Sequence, residues 1–175
     1  MRHIAISLLL AMLAAPALAS EGGCSGSSGL APAVSALAQQ TNATRAARGQ
    51  AQLRVDAKLS QVAQRHACDL ARRQVVSHRD SKGRKPMARV KGAGFRACFS
   101  AENVAQGTKS AGGTVKAWQG SSGHARNQQD PRAKSMGFGV AQGADGRLYW
   151  VGLYAARCAV QEARAAAGKV RPFRW

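Results

Sequence analysis

Acidic residues are scarce in this chain. Eight Asp and Glu stand against 26 Lys and Arg, a net charge of +18 at pH 7 over 175 residues. Aromatic residues make up only 5%, and the most basic stretch holds Phe95 alone, which excludes a stacking platform for bases. The glycine signatures G-x-G-x-x-G and G-x-x-x-x-G-K-[ST] are both absent, so Rossmann and P-loop nucleotide sites are excluded. H-E-x-x-H, G-x-S-x-G and any C-x-x-C pair are absent as well. Outside the N-terminus no uncharged apolar run reaches the roughly eighteen residues of a membrane helix. What remains is a chain with 45% hydrophobic residues, enough to bury a core and too much for a disordered tail. Its length fits one domain.

Residues 1–19 read as a signal peptide. Arg2 and His3 form a basic start, Ile4 to Ala15 is apolar, Pro16 breaks the run, and Ala17-Leu18-Ala19 is an A-x-A cleavage site. A lipoprotein reading is weaker, because Glu21-Gly22-Gly23 precedes Cys24 where small or aliphatic residues would be needed. The expectation is export, to a periplasm or the medium. In an oxidising compartment the four cysteines are expected to form disulfides. Of three possible pairings we expect Cys68–Cys98 in the core and Cys24–Cys158 joining the termini.

Residues 20–33 are Gly/Ser-rich and read as a flexible leader, with the domain over 34–158 and a helix plus basic-aromatic tail over 159–175. Val34, Leu37 and Ala38 open a helical pattern that Gly49 ends. The strongest helix is expected from Asp56, a plausible N-cap, to Val75. There Leu59, Val62, Ala63, His66, Ala67, Leu70 and Ala71 form one apolar stripe, and His66 on that stripe reads as a core histidine bonded to backbone. A short helix is expected from Pro86 to Lys91, then a loop and short strand over Phe95 to Ala105. Two more helical pieces follow, Ser110 to Gln119 and His124 to Gln129. Met136, Phe138 and Val140 alternate with small residues as a strand does. Asp145-Gly146 is a turn pair, and Leu148 to Ala155 is apolar on both faces. A strand covered on both sides needs layers above and below it. The fold class is therefore α+β, a three-layer α-β-α sandwich with a small antiparallel sheet.

His3 leaves with the signal peptide and His66 is assigned to the core, so His78 and His124 remain for chemistry. Between them lies Glu102, a single acid among small and apolar neighbours that needs a partner. Two imidazoles and a carboxylate suit a divalent metal or an acid/base pair. Their separations match no local zinc motif.

The motifs Val76-Ser77-His78-Arg79-Asp80, Gly94-Phe95, Ala101-Glu102-Asn103-Val104-Ala105-Gln106-Gly107, Trp118 and Ser121-Ser122-Gly123-His124-Ala125-Arg126-Asn127 occur in that order. Together they resemble the bacterial branch of the CAP superfamily, the SCP or cysteine-rich secretory, antigen 5, pathogenesis-related-1 domain. The likeness runs from about Val34 to Ala155. It implies the same α-β-α sandwich with a central cleft lined by two histidines and two acids, where some members bind zinc or another divalent ion. His78, Glu102 and His124 take three of those places, and Asn103 and Asn127 are expected to tie loops to the cleft floor. The second acid is missing, since Trp118-Gln119-Gly120-Ser121 holds none.

Arg79 to Arg96 carries seven basic residues against Asp80 alone and is expected to rim the cleft. Arginine-rich surfaces suit phosphate and carboxylate partners. The expected function is that of an exported, monomeric binding module, not an enzyme, whose cleft holds a divalent metal such as zinc or a small anionic ligand. The expected partners are an anionic envelope polymer, a lipid or a small ligand, and not intracellular nucleic acid. The alternatives are a metal- or His-dependent, protease-like hydrolase and a basic scaffold for envelope polyanions.

Overall fold

The computed structural model describes residues 30–159. The expected signal peptide, Cys24 and the basic-aromatic tail lie outside them. Five helices and four strands follow in the order α1 (Ala31–Ala46), β1 (Arg54–Val55), α2 (Ala57–Arg73), α3 (Pro86–Gly92), β2 (Ala97–Gln106), α4 (Ala111–Gln119), α5 (Ser122–Gln129), β3 (Ser135–Gln142) and β4 (Leu148–Arg157). The sheet order is β1-β3-β4-β2. β4 pairs antiparallel with both β2 and β3, and β1 pairs parallel with β3.

Strand alternation splits the core in two, because successive side chains leave a sheet on opposite faces. Tyr149, Val151 and Leu153 of β4 pack with Leu59, Val62, Leu70, Val90 and Phe95, the layer of α2 and α3. Trp150 and Tyr154 of β4 pack with Met136, Phe138, Leu37, Val115 and Trp118, the layer of α1 and α4. The architecture is the expected α-β-α sandwich.

Local chemistry explains the helix ends. Asp56 caps α2, its carboxylate accepting from the backbone N–H of Lys58 at 2.8 Å and Leu59 at 3.2 Å. Gln74 closes the helix in the left-handed region, at φ 52°. Ser110 caps α4 through the N–H of Gly113. α1 begins three residues before the expected Val34, because Pro32 sits in its first turn, where a missing N–H costs nothing. The expected leader is therefore helical from Ala31 onward.

β2 is a ten-residue strand, not the loop and short strand expected over Phe95 to Ala105. Its near-complete ladder with β4 supplies the order that its mixed Ser, Glu, Asn and Gln composition does not advertise. β1, with two residues, escaped the sequence reading altogether. Where β1 stops, Gln64 of α2 takes over its role toward β3. Its Nε2 donates to the carbonyl of Val140 at 2.9 Å and its Oε1 accepts from the N–H of Val140 at 3.1 Å.

Both expected disulfide pairings are overturned, because Cys98 is bonded to Cys158 with Cα atoms 5.0 Å apart. β2 and β4 are antiparallel, and Ala97 lies opposite Arg157. Cys98 and Cys158 therefore meet at the end of one ladder. Cys68 is on α2 in another layer and is itself disulfide-bonded. The Cys98–Cys158 bond closes a 60-residue span, worth about 4 kcal/mol in the chain-entropy model.

α2 lies directly against β3 because Gly137 and Gly139 face it. A Cβ on Gly137 would fall 2.3 Å from the backbone nitrogen of Ser60, and one on Gly139 2.3 Å from that of Gln64. Backbone cannot give way as a side chain can. Gly137→Ala is expected to cost at least about 1–3 kcal/mol from overpacking. Gly123→Ala, which meets nothing within 4 Å on an exposed helix, is expected to be neutral or slightly stabilising. Urea midpoints of the two variants check this, and equal midpoints would contradict the close approach of α2 to the sheet.

Candidate functional site

β2 is an edge strand, so its residues face both helical layers and its free edge at once. Glu102 sits mid-strand and is only 4% exposed. Its Oε1 accepts from His78 Nδ1 at 2.9 Å and lies 3.7 Å from His66 Nε2. Its Oε2 accepts from Arg89 Nη2. Arg89, on α3, is buried too, and its Nη1 donates to the carbonyls of His78 at 2.9 Å and Arg84 at 2.7 Å. One guanidinium thereby fastens the loop from His78 to Arg84 onto the strand.

The other layer is tied to the same residue through its backbone. Asn127 Nδ2 donates to the Glu102 carbonyl at 3.0 Å and to Asn103 Oδ1 at 2.9 Å. Asn103 Nδ2 donates to the carbonyl of His124 at 3.0 Å. These bonds hold α5 against the strand edge and fix the backbone at His124. Trp118 Nε1 reaches the carbonyl of Val104 at 3.4 Å, so a second edge group is also covered. Gln119, within the stretch Trp118 to Ser121 that holds no acid, is hydrogen-bonded to Gln128.

The three imidazoles differ in environment. His78 is half exposed, and its hydrogen bond to Glu102 raises its pKa against the opposing effect of partial burial. Nδ1 is the nitrogen that donates to the carboxylate, which leaves Nε2 available. His66 is fully buried, and desolvation lowers its pKa. Its Nε2 meets the Ser77 carbonyl at 2.9 Å and must donate there. His124 is lowered by burial and then by the positive charge of His78, so the two rings sense one another across the edge.

The structure thus joins His78 directly to Glu102 and links Asn103, Asn127 and the His124 backbone in one network. Two members escaped the sequence reading. Arg89 follows Met87 and precedes Val90 on a short helix, and a cation beside two core residues was the available signal. His66 does bond to backbone, but it also faces Glu102.

A zinc site needs three protein donors with free lone pairs. Here both Glu102 oxygens already accept from cations or N–H groups, and Arg89 would lie against any ion bound there. Among the described residues no group of three or more His, Cys, Asp or Glu has the geometry to hold a metal. The residues do not fit a resident zinc ion.

The model of the cysteine-rich secretory protein family matches residues 38–154. The chain belongs to the CAP family. It is 30% identical over 102 residues to the uncharacterised protein YkwD of Bacillus subtilis, covering 58% of this chain and 40% of that protein. The chain thus spans about two fifths of the length of YkwD. An outer surface protein of Borrelia burgdorferi superposes with a TM-score of 0.69 at 21% identity, covering 74% of this chain and 96% of that one. An extracellular SCP-domain protein of Bacillus anthracis superposes at 0.65 with 18% identity, over 72% and 41% of the two chains. These structures share the CAP fold, and their names place them outside the cell or on its surface.

The electrostatics of the CAP cleft generate two predictions. Removing one partner of a buried pair leaves an uncompensated charge, so Arg89→Met is expected to cost about 3–5 kcal/mol, while Arg89→Met/Glu102→Gln recovers part of that loss. Denaturant melts of the three proteins measure it. In an NMR pH titration, His78 is expected to titrate above the ordinary histidine value of about 6.5 and His124 below it. A raised folded pKa stabilises the fold below the unfolded value, and this is lost as pH rises through the folded pKa. His78 therefore favours the fold at mildly acidic pH. His66 and His124 oppose it as pH falls below about 6.5. Coincident titration of His78 and His124 would contradict the assigned hydrogen bond.

Proposed function

We propose that this CAP domain is an exported, non-enzymatic binding module whose cleft takes a small anionic ligand between His78 and His124. The observation that carries the reading is the commitment of Glu102. Its oxygens are taken by Arg89 and His78, so the cleft offers imidazole nitrogens and no free carboxylate. An anion there meets no unanswered negative charge, and it would favour the protonated form of both rings. The excess of 26 basic over 8 acidic residues raises the local concentration of anions further. Export rests on the signal-peptide pattern of residues 1–19 and on the surface and extracellular names of the Borrelia and Bacillus anthracis structures.

A hydrolase is the second reading, favoured by one feature. A buried carboxylate bonded to Nδ1 of a half-exposed histidine is the base-and-orienter half of a hydrolytic triad. The nearby Ser77 hydroxyl instead accepts from the N–H of Arg79 at 3.0 Å.

The test is calorimetry with inorganic phosphate and with zinc on the native chain and on His78→Ala/His124→Ala, with the imidazole signals followed by NMR. Phosphate is expected to shift both rings and to bind about tenfold more weakly to the double variant, and more weakly as pH rises from 6 to 8. One equivalent of zinc bound by the native chain and lost in the variant would overturn the anionic reading. Turnover of ester or peptide substrates lost in the same variant would replace it with the hydrolase.

A further inference from the structure

A second concavity lies on the far side of the Glu102 cluster, between α2, the loop over residues 79–84, and α3. Its volume is about 700 Å³, and its lining includes five cationic and two acidic side chains, with neither His78 nor His124 among them. That size exceeds what a lone small anion fills and falls within the range of sites for ligands of several groups.

The two acids do not offset the cations for a ligand, because each is already used. Asp80 accepts from the backbone N–H of Lys82 at 3.0 Å and of Arg84 at 2.8 Å, and from Arg84 Nε at 2.8 Å. Asp69 accepts from the N–H of Ser81 at 3.1 Å and from Arg73 Nη2 at 2.8 Å. They shape the loop that carries Lys82 to the rim. Opposite it, Arg65 and Arg72 lie two turns apart on one face of α2. Neither Arg65 nor Lys82 has an ion-pair partner among the described residues, and all three rim cations are exposed.

The floor supplies an independent observation. Arg89 and His66, 6% and 1% exposed, both line this cavity. Each keeps one buried nitrogen, Arg89 Nε and His66 Nδ1, without a hydrogen-bond partner. Buried polar atoms are rarely left so. Because His66 Nε2 donates to Ser77, its Nδ1 is an acceptor, whereas Arg89 Nε–H is a donor. A water can serve both, accepting from Arg89 and donating to His66, and it can in turn donate its other hydrogen to a ligand oxyanion above it.

From the unpaired Arg65 and Lys82 at the rim, with Arg72 held 3.7 Å from Asp69 beside them, and from the unsatisfied floor, we propose that the α2–α3 cavity is a second binding site, for a ligand carrying several phosphate-type groups. Guanidinium groups on one wall and an ammonium on the other suit oxyanions spaced along a chain. The site is separate from the His78/His124 cleft and stands or falls without it.

The probe is inorganic tripolyphosphate, titrated calorimetrically at physiological ionic strength, where diffuse surface attraction is screened. Four proteins are compared: the native chain, Arg65→Gln/Arg72→Gln/Lys82→Gln, a charge-matched control Arg48→Gln/Arg54→Gln/Lys116→Gln, and His78→Ala/His124→Ala. Expected is a site that persists in His78→Ala/His124→Ala, whatever that variant loses at the cleft, that is weakened about tenfold or more in the cavity variant, and that changes by no more than about twofold in the charge-matched control. NMR shifts should centre on the Arg65 and Lys82 amides. Equal weakening in the cavity variant and its control would reduce the effect to net charge and overturn the site. Loss in His78→Ala/His124→Ala alone would move the ligand to the cleft, and no binding by the native chain would also overturn the proposal. The three rim residues are exposed, so the cavity variant is expected to melt with the native chain, and a matching urea midpoint confirms that it folds.

Discussion

A single carboxylate on an edge strand organises both halves of the domain. Glu102 leaves β2 toward the α2–α3 layer, where its side chain gathers Arg89 and His78 and lies beside His66. Its backbone carbonyl leaves from the free edge and is taken by Asn127 of α5. An ion pair this deeply buried contributes little net stability compared with well-packed apolar residues. Its effect is positional. Arg89 Nη1 donates to the carbonyls of His78 and Arg84, so the loop that carries His78 cannot settle elsewhere without stranding a buried charge.

The same pairing decides the chemistry of the cleft. A carboxylate shared between a guanidinium and an imidazole N–H keeps spare lone pairs, but its negative charge is already answered, and the guanidinium beside it repels a second cation. A cleft with two histidines and one free acid would lean toward divalent metals. With the acid engaged, what remains toward solvent is Nε2 of a histidine held in its Nδ1–H form and a second ring that senses its charge. One arginine on a seven-residue helix thus changes the electrostatic character of the cleft from that of the family pattern.

How much of this was legible in the sequence depends on where the information lies. α2 could be read almost to the residue, because Asp56 caps it and its stripe has a strict helical period. The β3–β4 hairpin was equally legible, β3 from its alternation and β4 from its apolar run after Asp145-Gly146, although the close approach of α2 to Gly137 and Gly139 was not. β2 was not, since its order comes from pairing with β4 across about fifty residues, and Ser, Glu, Asn and Gln carry little local strand preference. β1 is too short to leave a pattern. The disulfide pairing failed for a related reason, as spacing says nothing about which strand ends meet. Within the site, His78, Glu102 and His124 were recognisable from ordered motifs. Arg89 lay hidden in a run of basic residues that read as a solvated rim, and only the packed structure separates the one buried cation from its exposed neighbours.

That separation extends to the whole charge pattern. Every described acid has a structural task. Asp56 caps α2 and meets Arg157 at 3.1 Å. Asp69 and Asp80 fold the basic loop, and Asp130 holds Arg132. Asp145 accepts from the N–H of Arg147 and from the Tyr149 hydroxyl, and Glu102 holds the cleft. Acids spent on backbone N–H groups and loop geometry are not available to neutralise the surface, so most of the described cations have no ion-pair partner among the described residues. Self-repulsion of this size works against folding, and the interlayer ties and the Cys98–Cys158 bond offset it. The repulsion is relieved without rearrangement only by anions from outside. The scarcity of acid and the engagement of the one in the cleft therefore have one electrostatic consequence, a surface and a cleft with little uncompensated negative charge.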